Sequence, residues 1–244
     1  MNFYPLFLFL NNIASVTNVT KVLNVCYNFI KTIDIIQKKD KIVIYKWKVI
    51  SNIMRIISGQ ARGTKLYTLE GIATRPTLDR VKESLFNIIQ KDIQDAKILD
   101  LFSGCGAIGI ELLSRGAKRA VLCDNSKDAI NIIKKNVQKT HFENIAEIYN
   151  CDFKNLIKKL ENQKFDIIYI DPPYATDYIK ESIENIIKYN LVDENTLIII
   201  ETDDETRILK QMEKMDVEIT DKRKYGRATI IFLKYRKTQI PRKG

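Results

Sequence analysis

The tetrapeptide Asp171-Pro172-Pro173-Tyr174 directly follows a strongly β-branched run and combines groups that could act on a flat amine. An exocyclic ring amine is a poor nucleophile because its lone pair is delocalised into the ring. The Asp171 carboxylate and the Pro172 carbonyl could accept from its N–H groups and favour a pyramidal nitrogen, while the prolines offer no competing donor. The Tyr174 ring could stack on a base, which contributes about 1–3 kcal/mol in single-strand binders. The motif therefore predicts group transfer to such an amine. A dehydrogenase would have no use for these four residues.

A second motif lies in Lys97–Glu111, which reads as a strand, a glycine turn and a helix. One carboxylate, Asp100, interrupts its apolar run, and Gly104 and Gly106 follow. Glycines let backbone N–H groups approach a ligand, and the helix presents its unpaired donors at the same place. With Gly109, the spacing also fits a dinucleotide-binding fingerprint. This motif alone therefore does not distinguish a dinucleotide from another nucleotide-type cofactor.

Strands and helices alternate along the chain from this motif onwards, which predicts an α/β fold with a doubly wound, mostly parallel sheet. The last two strands are joined by a short turn around Lys222–Arg227, so they must be antiparallel. Beyond the first strand of the glycine motif, the predicted strands are Ala120–Cys123, Ala146–Tyr149, Phe165–Ile170, Leu197–Glu201, Val217–Thr220 and Thr229–Tyr235. The predicted helices are Leu78–Gln90 with Thr77 as N-cap, Ala107–Arg115, Lys127–Lys139, Leu156–Leu160, Tyr178–Lys188 and Thr206–Met215.

Acidic residues follow successive strands of this predicted sheet. In such a sheet ligands bind beyond the carboxyl ends of the strands, beside the first one. Asp124 lies 24 residues after Asp100, close to the interval at which an acid accepts from ribose hydroxyls. Asp152 follows the next strand and could accept from an adenine amine, and Asp171 follows the fourth. We expect these side chains to share one site.

Composition limits the partners and the chemistry. The 244 residues carry 40 Lys and Arg against 30 Asp and Glu, a net charge of +10, which favours a polyanionic partner. The four cysteines are scattered without a C-x-x-C pair, so neither a disulfide framework nor a metal site is predicted, and a reducing cytoplasm fits. No apolar run approaches the ~18–20 residues that span a bilayer.

Residues 1–53 lack the patterning of the rest. Phe3–Leu10 is apolar but short and follows no Lys or Arg, so a signal peptide is not indicated. Lys41–Ile50 alternates charged and apolar residues like an isolated strand. We interpret residues 1–53 as a non-native or disordered extension, with Met54 as the true first residue; a real basic extension is the alternative. The folded domain is then 54–240, divided into a hairpin and helix at 54–92 and a Rossmann-like core at 93–240.

Nearly all of the stretch from Met54 to Tyr235 resembles the class I S-adenosylmethionine-dependent methyltransferases with an amino-methylating Asp/Asn-Pro-Pro-Tyr/Phe motif. More narrowly it resembles the RsmD family, which methylates the N2 amine of guanine 966 in bacterial 16S ribosomal RNA. The segments that carry the resemblance are MRIISGQARGTKL, RPTLDRVKESLFNII, DLFSGCGAIGIELLSRGA, DPPY and the late KYG. The chain departs from the family at Cys105, more often serine, and at Asp124, more often glutamate.

The resemblance implies S-adenosylmethionine as the cofactor and 16S ribosomal RNA as the partner, possibly within an assembling 30S subunit, for a cytoplasmic monomer. It implies that the cofactor is held by Asp100, Phe102, Gly104, Gly106, Asp124, Asn125, Asp152 and Phe153. Asp171, Pro172 and Tyr174 would hold a guanine flipped out of its stack. Candidate phosphate contacts are Arg55, Arg62, Lys65, Arg75, Lys222, Arg223, Lys224 and Arg227, each of which could equally be a solvated surface charge.

Two other functions stay open. A DNA N6-adenine methyltransferase shares the tetrapeptide, but the chain has no room for a separate target-recognition domain. A non-catalytic RNA-binding module would keep the basic surface but has no reason to retain Asp171 and Tyr174.

Overall fold

The fold is built on a seven-stranded sheet whose strands are joined by helices. The computed structural model describes residues 36–38, 41–43, 54–68, 76–173 and 176–236. The strands are β1 (Ile36–Lys38), β2 (Lys41–Val43), β3 (Lys97–Asp100), β4 (Arg119–Asp124), β5 (Ala146–Asn150), β6 (Ile167–Ile170), β7 (Leu197–Thr202), β8 (Val217–Tyr225) and β9 (Ala228–Tyr235). The helices are α1 (Pro76–Ile88), α2 (Gln90–Ile93), α3 (Ala107–Ser114), α4 (Lys127–Thr140), α5 (Phe153–Lys159), α6 (Tyr178–Lys188) and α7 (Glu205–Met212).

Strand β3 lies inside the sheet, whose spatial order is β5-β4-β3-β6-β7-β9-β8. It pairs in parallel with β4 on one side and with β6 on the other. Strand β9 is antiparallel to both β7 and β8. The predicted doubly wound, mostly parallel sheet with an antiparallel strand near the C-terminus is therefore confirmed. The strand order reverses beside β3, and this is where such sheets bind ligands.

Helices cover the sheet on both faces, which explains why its central strands are apolar on both sides. All four residues of β6 are buried. On one face the sheet packs against α1, α3 and α4 through side chains that include Phe86, Ile110 and Ile133. On the other face it packs against α5, α6 and α7 through side chains that include Leu156 and Ile183. Burying these two apolar layers stabilises the fold and holds the strand ends in place.

Residues 54–68 form a short hairpin, as predicted for the start of the 54–92 segment. Its two arms meet at an antiparallel bridge between Arg55 and Lys65. The backbone N–H of Ile56 donates to the Thr64 carbonyl over 3.0 Å. The pairing is limited to this bridge and its flanking hydrogen bonds, so the arms are shorter than full strands.

The hairpin is attached to helix α3 by a buried carboxylate. Glu111 is 2% exposed and accepts from the backbone N–H groups of Ile57, over 2.7 Å, and Ser58, over 3.0 Å. At Gly59 the two backbones approach so closely that an added Cβ would lie 1.7 Å from the Ser114 carbonyl oxygen. Gly59 also has φ of +80°, so only glycine fits this contact.

Three predicted boundaries were wrong for identifiable reasons. Helix α1 begins at Pro76, a residue favoured at the first helical position, so Thr77 lies inside the helix and does not cap it. Helix α5 begins at Phe153, three residues before the predicted start, because the Asp152 side chain caps it. Strand β8 extends to Tyr225, so Lys222, Arg223 and Lys224 lie in a strand and not in the turn.

The chain divides into two units, residues 1–51 and 52–244. In the first unit, Lys41–Val43 is a strand, but it is paired antiparallel with Ile36–Lys38 and is not isolated. Residues 44–50 of the predicted strand lie outside the described residues, and the interpretation of 1–53 as a non-native extension stays a prediction. Within the described part of the chain, no helix has both the length and the apolar character needed to cross a membrane.

Candidate active site

The carboxyl ends of β3, β4, β6 and β7 bring four acidic side chains to one edge of the sheet. Asp100 is the last residue of β3, and Asp124 is the last residue of β4. Asp171 follows the last residue of β6 directly, and Glu201 lies next to last in β7. Parallel pairing aligns these ends, so the structure places Asp100, Asp124 and Asp171 at one edge of the sheet and adds Glu201 to them.

The glycine turn after β3 is held by Asp124. The backbone N–H of Gly104 donates to Asp124 Oδ2 over 2.9 Å, and the N–H of Ser126 donates to Asp124 Oδ1 over 2.8 Å. Gly104 has φ of +56°, and an added Cβ would meet nothing within 4 Å. Gly106 has φ of +79° and immediately precedes helix α3. The turn therefore presents an open backbone beside a carboxylate, as a ribose site requires.

Asp100 is buried directly before this turn, and one of its carboxylate oxygens has no hydrogen-bond partner among the described residues. Its side chain is 1% exposed, and the unpaired oxygen is Oδ1. Burial raises the pKa of Asp100 from 3.8 to about 7, and hydrogen bonds from Ser103 and the Gly109 backbone oppose the rise. The nearby charge of Asp124 raises the pKa of Asp100 further. A ligand that donates a hydrogen bond or carries positive charge would satisfy this oxygen.

Aromatic side chains form a shelf beside the turn. The Phe102 and Phe153 ring centroids lie 5.0 Å apart. The Tyr178 ring stacks on Phe102 with a centroid distance of 6.1 Å and an interplanar angle of 6°. The structure therefore brings the two predicted residues together and adds Tyr178. The signal for Tyr178 in the sequence was weak, since it is simply the first residue of an amphipathic helix.

Asp152 and Asn125 lie on the exposed side of the same edge. Asp152 Oδ1 accepts from the Lys154 backbone N–H over 2.8 Å, so this carboxylate caps helix α5. The Asn125 carbonyl oxygen accepts from the Asn150 side chain over 3.1 Å. Both predicted residues are therefore at the edge of the sheet, each with a structural contact of its own.

The catalytic candidates lie at the end of β6. Asp171 is half-buried and Pro172 is buried, whereas Tyr174 lies outside the described residues. Burial raises the pKa of Asp171 well above its usual value, and the negative charges of Glu201 and Asp100 add to the rise. Lys82 of α1 opposes it. Asp171 therefore holds a proton more tightly than an exposed aspartate does.

Sequence reasoning missed three neighbours of Asp171. The Tyr169 hydroxyl donates to Glu201 Oε2 over 2.6 Å. Glu201 carried a usable signal, because an acid at the end of an apolar strand is what identified Asp124. Lys82 carried none, since a lysine on an amphipathic helix is usually solvated. Among the described residues, no group of three or more His, Cys, Asp or Glu side chains is placed to hold a metal ion.

The predicted phosphate contacts fall into two groups. Arg55, Arg62 and Lys65 are exposed on the 54–68 hairpin, whereas Arg75 lies outside the described residues. Lys224 of β8 and Arg227 of the β8–β9 turn are exposed, and in the same part of β8 Lys222 pairs with Glu205 and Arg223 pairs with Asp221. The Ser84 hydroxyl of α1 is hydrogen-bonded to the Tyr225 hydroxyl, which ties this turn to α1. The role of these residues in RNA binding stays a prediction.

Comparison with known proteins identifies relatives along most of the chain. Residues 54–234 match the sequence profile of a family described as conserved hypothetical protein 95. The chain is 34% identical over 185 residues to the putative rRNA methyltransferase YlbH of Bacillus subtilis, covering 75% of this chain and 100% of the relative. It is 39% identical over 153 residues to the ribosomal RNA small subunit methyltransferase D of Haemophilus influenzae, covering 62% of this chain and 79% of the relative.

Solved structures show the same architecture. A putative methyltransferase, yhhF, from Escherichia coli superposes with a TM-score of 0.63 at 26% identity, covering 75% of this chain and 98% of that one. A putative methylase, HI0767, from Haemophilus influenzae gives 0.62 at 29% identity, covering 76% and 99%. The seven-stranded sheet is thus the Rossmann-like class I methyltransferase fold. The chain belongs to the conserved hypothetical protein 95 family, which is the RsmD family of methyltransferases.

Proposed function

We propose that this protein transfers a methyl group from S-adenosylmethionine to the N2 amine of a guanine in small-subunit ribosomal RNA, with guanine 966 as the target nucleotide. The observation that carries the proposal is the position of Asp171 and Pro172. They follow β6 at the same sheet edge as the glycine turn and Asp124. The names of the relatives, two of which are called ribosomal RNA methyltransferases, support RNA over other substrates.

The residues at this edge fit the cofactor. Asp124 would accept from the ribose hydroxyls, and Asp152 would accept from the adenine amine beside the Phe102–Phe153 shelf. The buried, unpaired oxygen of Asp100 suits a ligand with positive charge. When bound, S-adenosylmethionine supplies an electrophilic methyl group on a sulfonium ion.

Asp171 and Pro172 would act on the target amine. The Asp171 carboxylate and the Pro172 carbonyl would accept hydrogen bonds from the two N–H groups of the amine. These hydrogen bonds would direct the nitrogen lone pair away from the ring and towards the methyl carbon. As the nitrogen–methyl bond forms, the bond from the methyl carbon to sulfur would break and leave a neutral thioether; the amine would lose one proton, and the Asp171 carboxylate would accept it. The raised pKa of Asp171 makes its carboxylate a stronger base, and the positive charge of Lys82 helps to keep it ionised.

A methylation assay tests this function directly. Small-subunit ribosomal RNA from a strain that lacks the gene would be incubated with the protein and methyl-labelled S-adenosylmethionine, both as naked RNA and in partly assembled subunits. The proposal expects N2-methylguanine at position 966, and an Asp171→Ala control that gives almost none. Label in DNA adenine would establish the alternative function, and RNA labelled at another atom or nucleotide would overturn this assignment.

A further inference from the structure

Glu201 lies beside Asp171 at the end of the neighbouring strand. Strands β6 and β7 are parallel, and their last registered pair is Ile170 with Ile200. The next residues, Asp171 and Glu201, therefore extend side by side from strands about 4.8 Å apart. Residues at matching positions of parallel strands point to the same face of the sheet, so the two carboxyl groups share one face.

A buried tyrosine holds the Glu201 carboxylate in this place. Tyr169 is 2% exposed and lies two residues before Asp171, on the same face of the sheet. Its hydroxyl donates to Glu201 Oε2 over 2.6 Å. This hydrogen bond engages one carboxylate oxygen of Glu201, and the other oxygen can accept from a further donor.

Apart from the Tyr169 hydroxyl, the neighbours of Glu201 within the sheet are apolar. Glu201 pairs with Ile230 of β9 across the antiparallel ladder. Ile199, Ile230 and Phe232 on this part of the sheet belong to one apolar cluster. An acid next to such a cluster, fixed by a tyrosine and adjacent to the catalytic carboxylate, is placed to meet a donor on the substrate.

We propose that Glu201 accepts a hydrogen bond from N1–H of the target base and so selects guanine over adenine. This inference rests on the proposed function and names the group that reads the base. Guanine presents N1–H and the N2 amine as adjacent donors, which match the adjacent carboxylates of Glu201 and Asp171. Adenine presents a lone pair at N1 beside its amine, and that lone pair would face the Glu201 carboxylate. A site built around one donor rejects an analogue that lacks it by a factor of up to ~10⁴.

The base analogue 2-aminopurine separates recognition of N1–H from recognition of the amine. It keeps the amine at C2 but carries a lone pair at N1. Ribosomal RNA would be prepared with guanosine or 2-aminopurine riboside at the target position, and kcat/KM would be measured for methyl transfer to each. For the wild-type protein we expect guanine to be preferred by at least ~100-fold.

Two variants assign this preference to Glu201. In Glu201→Gln the amide can donate to the N1 lone pair, so the guanine preference should fall below ~10-fold, mainly through slower reaction of guanine. Because 2-aminopurine also lacks O6, any preference due to O6 will be equal in both proteins and will cancel from the comparison. Glu218→Gln, at an exposed acid of β8, should keep the wild-type preference. S-adenosylmethionine affinity should be unchanged in both variants.

The outcomes distinguish this inference from the function on which it rests. Absence of guanine methylation by the wild-type protein would overturn both. Efficient methylation of guanine with equal methylation of 2-aminopurine would overturn the role of Glu201 and leave the function standing. A strong preference that Glu201→Gln retains would do the same. If Glu201→Gln fails to fold, the wild-type comparison of the two bases still tests the inference. Tyr169→Phe then provides the variant, because it frees the Glu201 carboxylate and should reduce the preference for guanine.

Discussion

The side-chain amide of Asn136 donates to the carbonyl oxygens of Tyr67, over 3.0 Å, and Cys105, over 2.8 Å. Its own oxygen accepts from the Tyr67 backbone N–H over 2.8 Å. Asn136 lies on α4 and is fully buried. One side chain thus joins the end of the 54–68 hairpin to the glycine turn that would hold the cofactor.

We expect Asn136→Ala to lower the free energy of unfolding by about 2–4 kcal/mol, because it leaves backbone groups at Tyr67 and Cys105 without partners. Since the Cys105 carbonyl belongs to the glycine turn, S-adenosylmethionine should also bind more weakly. Urea denaturation and calorimetric titration measure the two effects. Gln138→Ala, at an exposed position of the same helix, is the control and should change neither. Unchanged cofactor affinity in a destabilised Asn136→Ala protein would show that the turn does not depend on this contact.

Replacing Asp171 should affect turnover, whereas replacing Asp124 should affect cofactor affinity. Asp171→Ala should lower kcat by about 100-fold or more, near the loss from removing one transition-state hydrogen bond, with little change in cofactor affinity. Asp124→Ala should weaken S-adenosylmethionine binding about ten- to a hundredfold, because it removes hydrogen bonds to a carboxylate. Single-turnover methylation and calorimetric titration separate the two effects. Near-normal turnover by Asp171→Ala would mean that the tetrapeptide is only a turn.

Asp100 should make the stability of the ligand-free protein depend on pH. The unfolded chain loses this proton near pH 3.8, whereas the folded protein keeps it until about pH 7. The contribution of Asp100 to stability is therefore fully present below pH 3.8 and is lost as the pH rises to about 7. Asp100→Asn resembles the protonated acid at every pH, so it should gain stability relative to the wild type between pH 5 and pH 8. Urea denaturation at the two pH values measures this difference, and an equal difference at both would contradict the raised pKa.

Arg207 should influence RNA methylation without touching the cofactor. Its guanidinium donates to the Thr176 carbonyl over 3.0 Å, two residues beyond Tyr174. It also lies 3.9 Å from the Asp177 carboxylate. Arg207→Lys keeps the charge but loses this geometry, so we expect an increase of about three- to tenfold in KM for RNA and unchanged S-adenosylmethionine affinity. Steady-state kinetics of Arg207→Lys and of an exposed control on α7, Lys210→Ala, test this. Equal KM values in the two variants would refute a positioning role.

The strand-end acids could be predicted because two local signals agree on them. Buried β-branched runs mark where strands end, and parallel strands place their carboxyl ends at one edge. Asp124 and Asp171 could be predicted as site residues without knowing which strands pair. The role of Glu201 did need that knowledge, because its proximity to Tyr169 and Asp171 depends on the register of β6 with β7. Hydrophobic patterning specifies the face of a strand but not which strand lies next to it.

Other parts of the site depend on tertiary packing that has no local signal. The charge of Lys82 acts on Asp171 only through the tertiary placement of α1, and Asn136 resembles any polar residue of an amphipathic helix. The C-terminal half of β8 was missed for a different reason. Most of its residues are exposed, including Lys222, Arg223 and Lys224, so the alternation that identifies a half-buried strand is absent.

The contact of the 54–68 hairpin with α3 has a consequence for the order of folding. The hydrogen bonds from Ile57 and Ser58 to Glu111 join residues 54 and 53 positions apart. Closing so long a loop costs entropy before any contact compensates for it, whereas β3, α3 and β4 are adjacent in the chain. We therefore expect the hairpin to dock after the transition state. Gly59→Ala, which forces the two backbones apart, should then accelerate unfolding while leaving the refolding rate nearly unchanged, as stopped-flow chevron measurements would reveal.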